Sequence, residues 1–175
     1  MKPRVVGILA GFVLLLTGFS YVYRMPVFLI RLPDSPLPVF FLERVSPGDE
    51  IVLTYRHSVE KTLVKGIFLV SNTPSLQAKE TWMTSVGTGL PNTFLDRTRM
   101  RGEWLVVDEG LKDIEDFRFF VSSVNDTRMD TPSGGPNLSA LPSGTIIAPD
   151  VENLRLLTYT GYWLLSIIHR LGDVE

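Results

Sequence analysis

The chain of 175 residues has no cysteine, so disulfides, thiolate metal sites and cysteine nucleophiles are excluded. Histidine is scarce, with only two in the chain. The formal net charge is −2 and the pI is near 5.7. Such a chain lacks the basic stripe that nucleic-acid binding requires, and no nucleic-acid partner is expected. It also lacks a Gly-x-Ser-x-Gly elbow for a serine nucleophile. The acidic run Asp108, Glu109, Asp113, Glu115, Asp116 misses the calcium-loop spacing, and no other metal or cofactor pattern appears. No long 3.6-period segment separates the β-like runs, which argues against a parallel α/β sheet.

The strongest positive signal is at the front. Residues 5–23 carry no charge, with Lys2 and Arg4 before them and Arg24 after. A helix of that length spans about 28 Å, close to the ~30 Å hydrocarbon core of a bilayer. Residues 1–24 therefore read as a membrane anchor or signal sequence. The run is long for a signal peptide, although Thr17, Gly18 and Ser20 are small enough for cleavage. The positive-inside rule puts the N-terminus in the cytoplasm and the rest across the membrane. An anchored chain is a single-pass membrane protein, and a cleaved one is periplasmic or secreted.

Residues 25–38 hold Pro26, Pro33, Pro36 and Pro38 and read as an extended linker, with Met25 to Leu32 as a further edge strand. Residues 39–175 read as one β-rich extracytoplasmic domain, an antiparallel sandwich or barrel. Strands are expected at 39–45, 51–57, 63–71, 76–83, 103–108, 117–124, 145–148 and 154–160. Ser46-Pro47-Gly48-Asp49 has the residues of a type II turn and predicts a hairpin between the first two. Alternation in 76–83 puts Leu76, Ala78, Glu80 and Trp82 on one face. The apolar stretch 156–168 is too short to span a bilayer and reads as the end of a strand, then a short strand or helix. Thr131 to Gly144 is a loop rich in Pro, Ser and Gly, either a flap or a disordered excursion.

Two stretches hold residues suited to chemistry. Tyr55-Arg56-His57-Ser58-Val59-Glu60 closes a strand, with Glu60 spaced to orient His57. The residues serve equally to tie down a turn. Ser58 is no dyad partner, because neighbouring side chains of a strand point to opposite faces. The second stretch runs from Glu80 through Trp82 and Ser85 to Gly87, Gly89 and Pro91. Gly-x-Gly permits a tight loop with exposed N–H groups, an anion nest, though a plain turn has the same residues. Glu80 faces His57 if their strands pair. Arg97, Arg99 and Arg101 recur at period two, on a face that binds a carboxylate or is simply solvated.

Together, Tyr55 to Thr62 and Thr81 to Pro91 resemble the domain-of-unknown-function family 1850. The resemblance covers about residues 39 to 95. It implies a small extracytoplasmic protein linked to TRAP-type transporters of the TAXI class, whose receptors capture small carboxylates and amino acids. It implies no enzymatic activity. Lys65-Gly66 stands where the family often carries an acid. The expected function is a membrane-tethered accessory or binding module for such a transporter, with the membrane, the transporter or its receptor, and a small carboxylate as partners. The alternative is an extracytoplasmic hydrolase using His57 with Glu60 or Glu80.

Overall fold

A computed structural model describes residues 3–35, 39–84, 95–122, 124–138 and 141–172. Helix α1 (Pro3–Val22) leads through Tyr23 into β1 (Arg24–Arg31). The strands β2 (Val39–Arg44), β3 (Glu50–Arg56), β4 (Leu63–Val70) and β5 (Leu76–Met83) follow. After a 3-10 turn at Leu95–Arg97 come β6 (Thr98–Arg101), β7 (Trp104–Asp113), β8 (Phe119–Phe120), β9 (Arg128–Asp130) and β10 (Ile146–Arg155). Helix α2 (Leu156–Gly172) continues β10 without a break.

The strands form two antiparallel sheets, ordered β2-β1-β10-β8 and β6-β7-β5-β4-β3-β9. Phe28, Ile30, Ile147 and Val151 of the first sheet bury their side chains with Ile51, Leu53, Phe68, Val70 and Leu76 of the second. This is the antiparallel β-sandwich expected from the strand pattern. Each fully buried side chain of this kind contributes about 1.5–3 kcal/mol of transfer free energy.

Residues 24–31 are not a linker or an edge strand. β1 lies between β2 and β10, and Val27 to Ile30 are all buried. Alternation sends Phe28 and Ile30 into the sandwich and Met25, Val27 and Leu29 to the outer face. There Leu156, Tyr159 and Tyr162 of α2 cover them. Four consecutive buried apolar residues follow from a strand covered on both sides. Pro26 sits just beyond the last pair with β2, at the end of the ladder, where it needs only its carbonyl, which accepts from Val45 N–H at 3.2 Å.

Three further expectations change. The turn at Ser46–Asp49 forms, with Asp49 N–H donating to the Ser46 carbonyl at 3.0 Å and Gly48 at φ 90°. It joins β2 in one sheet to β3 in the other, so it is a crossing between layers and not a hairpin. The two strands expected at 145–148 and 154–160 are one strand, β10, and residues from Leu156 onward are helix. Among the described residues of 117–124 only Phe119–Phe120 is strand.

The N-terminal run forms a helix as expected. Its side chains at 3–6 and 9–10 lie outside the described set. Among the described residues, no helix is long and apolar enough to cross a membrane.

Candidate functional site

The first motif folds as a closed turn between β3 and β4. The Tyr55 ring points inward and meets Phe119 at 5.1 Å, and burial pushes its phenol pKa above the ordinary value. The His57 N–H donates to the Thr62 carbonyl at 2.8 Å, and its own carbonyl accepts from Lys61 N–H at 2.9 Å. Nδ1 of His57 accepts from the Glu60 N–H at 3.3 Å. An accepting Nδ1 assigns the proton of the neutral ring to Nε2. Arg56 adds a bond from Nη1 to the Lys61 carbonyl at 2.7 Å, and Lys61 takes the left-handed conformation that closes the turn. Ser58 and Val59 are exposed at its tip. His57 thus ties the turn together through three bonds.

The second motif begins on β5, where the pattern of faces differs from simple alternation. The register of β5 shifts against both neighbours around Ala78–Glu80. Leu76 and Ala78 face the core, whereas Glu80, opposite Ile67, and Trp82, opposite Lys65, lie on the outer face. One extra residue in a strand moves everything beyond it to the other side. Glu80 is fully engaged there. One oxygen accepts from Trp82 Nε1 at 2.6 Å, and the other meets Arg99 Nη2 at 2.5 Å.

Around that pair lies a cation–aromatic cluster that reaches over four strands. The Trp82 and Trp104 rings sit 6.0 Å apart, tilted at 58°. The Arg101 guanidinium lies 5.2 Å from the Trp82 ring centre, and Lys65 Nζ lies 4.8 Å from that of Trp104. Val106 is buried beneath. The spacing of Arg99 and Arg101 marked them in the sequence. Trp104 and Lys65 joined them only through strand pairing, which a local pattern does not reveal.

Glu80 and His57 do not face each other. Glu80 is level with Ile67, which is level with Val52 on β3. His57 is five residues further on, roughly 16 Å along the strand. The bonds around His57 and Glu80 give the hydrolase alternative no support. The two motifs do share one end of the sheet. Thr84 N–H donates to the Leu63 carbonyl at 3.3 Å, so β5 leaves the sheet beside the point where β4 enters it. Ser85, Gly87, Gly89 and Pro91 lie outside the described residues. No group of acids and histidines suited to a metal occurs among the described residues.

A cleft of about 370 Å³ opens elsewhere, lined by Arg31, Leu76, Ile114, Phe117, Arg118 and Asp150 among others. Leu76 begins β5 and Ile114 follows β7, so the cleft sits at the end of the sheet opposite the motifs. Arg31 bonds Glu152 at 2.7 Å, which holds that carboxyl below its ordinary pKa, while burial raises that of Asp150. No motif residue lines this cleft.

Glu43 is a second feature absent from the sequence reading. This buried carboxylate of β2 accepts from the Thr131 hydroxyl, from the Ser133 N–H at 3.0 Å and from the Ser133 hydroxyl at 2.5 Å. β2 and β9 are each an edge strand of their sheet, and the loop after β9 closes the sandwich on Glu43. That part of the loop is therefore held in place.

No curated protein and no solved structure matches the chain. The family model described as Domain of unknown function (DUF1850) matches residues 51–134, a stretch that holds both motifs and the cation–aromatic cluster, so the middle of the chain is similar to that family.

Proposed function

We propose that this protein is a membrane-tethered extracytoplasmic binding module, and that its contact surface is the end of the six-stranded sheet where both motifs emerge. The observation that carries this reading is the Trp82–Trp104–Arg99–Arg101–Lys65 cluster beside the second motif. Three cations held over indole rings and one carboxylate leave a surface suited to carboxylate groups. Arginine offers a planar fork of donors for them, and the rings supply apolar contact. The His57 turn is the rigid border of this surface.

The tether is α1. Its sequence has 19 successive uncharged residues, about 28 Å as a helix against a hydrocarbon core of ~30 Å. Phe12, Leu14, Leu15 and Phe19 project from the domain as exposed side chains. Thr17 Oγ1 donates back to the Val13 carbonyl at 2.9 Å, the way a hydroxyl is satisfied in a lipid environment. The partner class comes from the family resemblance: a TAXI-class TRAP transporter or its solute receptor, with a small carboxylate as the ligand they share.

Calorimetric titration of the full chain in nanodiscs with acetate, succinate and glutamate tests the binding reading. Saturable heat with at least one of them is expected, weakened about tenfold or more by Arg101→Gln, the effect of losing one charge-assisted contact. No heat with any carboxylate, and no association with a TAXI receptor, would dispose of the reading.

A further inference from the structure

We infer that α2 lies in the plane of the membrane interface, with its outer face in contact with lipid and the four-stranded sheet packed behind it. The inference rests on the proposed tether and adds a second membrane contact to it.

Helix α2 is apolar on both sides, while protein covers only one. Leu156, Tyr159 and Tyr162 pack on Met25, Val27, Leu29 and Leu154 of the sheet. On the remaining surface Leu157, Trp163, Leu164 and Leu165 are exposed. No charge occurs from Leu156 to Ile168. A helix facing water on that side would carry charged residues there, whereas the exposed polar side chains among its described residues are the two threonines Thr158 and Thr160. Two of its hydroxyls are bonded within the helix: Thr160 Oγ1 donates to the Leu156 carbonyl at 2.7 Å, and Ser166 Oγ to the Trp163 carbonyl at 2.7 Å. Neither loses a water bond on entering lipid.

The fold fixes the level of this face. The Leu156 N–H donates to the Tyr23 carbonyl at 3.0 Å, so the first residue of α2 is bonded to the residue that directly follows α1. Arg155 lies over the Tyr21 ring at 4.1 Å. Wherever α1 leaves the bilayer, α2 begins. Arg24 and Arg155 pair at that junction and Arg44 stands opposite Val27. Neither residues 21–27 nor residues 154–160 contain an acid. Basic and tyrosine side chains at a helix–bilayer boundary match anionic headgroups, and an apolar helix face immersed beside them is the pattern of an in-plane anchor.

Because the chain is cysteine-free, single cysteines at Leu164, Phe12 and Val59 can each carry an environment-sensitive fluorophore without further engineering. The full-length protein is placed in vesicles of phosphatidylcholine and phosphatidylglycerol. The label at Leu164 is expected to shift to the blue and to be quenched by a spin label on the acyl chain. The label at Val59, on an exposed turn, is expected to be quenched by aqueous iodide. If Phe12 is quenched from the lipid while Leu164 reports water, the inference is overturned and the tether stands. If Phe12 reports water, the tether reading fails, and only lipid quenching at Leu164 would then preserve the inference. Disulfide cross-linking through Leu164→Cys between two chains, without lipid quenching, would assign the face to a second copy and overturn the proposal.

Discussion

Glu43 shows how much one side chain decides here. Its carboxylate collects three neutral donors from the loop after β9 and thereby closes one edge of the sandwich. Truncation to alanine leaves those donors without their acceptor, and a loss of about 2–4 kcal/mol is expected in chemical denaturation. Glu43→Gln keeps one acceptor oxygen and should cost less than the truncation. Gly66 is limited by space, since a Cβ there would stand 2.9 Å from the ring of Phe68, which itself packs on Phe117 at 5.2 Å. Gly66→Ala is expected to lower stability by about 1–3 kcal/mol through overpacking, read from the same denaturation curves. Glycine beside Lys65 is thus explained by the core, whereas Lys65 itself serves the outer face.

The pair Asp150 and Glu152 makes a pH prediction with two signs. Glu152 has a depressed folded pKa, because Arg31 bonds it. Its contribution is present above the ordinary carboxylate range and is lost as pH falls through the folded value. Asp150 has a raised folded pKa, chiefly from burial. Its penalty is present above that raised value and is relieved as pH falls toward the ordinary range. Asp150→Asn should therefore be neutral or stabilising at pH 7, with the gain vanishing in mild acid. Glu152→Gln should cost up to about 1 kcal/mol at pH 7, a modest figure because the pair is partly solvated. Thermal melts of both variants between neutral pH and pH 3 check the two signs.

At the scale of elements, strand existence was legible and strand partnership was not. The apolar runs at 39–44, 50–56 and 63–70 are marked by composition and by the turns between them, and 76–83 by its alternation. β1 is obscured because proline suggests a linker, and only the assembled sheet shows that Pro26 lies just beyond the last pair with β2, where its carbonyl accepts from Val45 N–H at 3.2 Å. The Ser46–Asp49 turn was visible as a turn, yet nothing local says whether the next strand returns to the same sheet. The bulge near Lys79 escaped strict alternation and put Glu80 and Trp82 on the face opposite to Leu76 and Ala78. The strand-to-helix change at Leu156 was missed because 156–168 is apolar throughout, and a continuously apolar run does not distinguish the two. α2 earns its place by packing. Tyr159→Ala with Tyr162→Ala is expected to cost about 3–5 kcal/mol and to expose the outer face of β1, seen as a lowered Tm and increased dye binding.

For the whole molecule, the sandwich has two distinct ends and one covered outer face. The His57 turn, the end of β5, the tryptophan pair and the arginines of β6 gather at one end of the six-stranded sheet. The Arg31 cleft lies at the other end, and α2 screens the outer face of the four-stranded sheet. The motif residues were legible as a group because they stand close in sequence. Lys65 and Trp104 were not, because their place in the cluster depends on which strands are neighbours. Separating those ends experimentally is the most direct test of the proposed binding surface. Hydrogen exchange of the full chain in nanodiscs, with and without saturating succinate, is the measurement. The proposal predicts slower exchange confined to residues 57–62 and 95–104. Protection around Arg31 and Arg118 instead, or no protection anywhere, would contradict it.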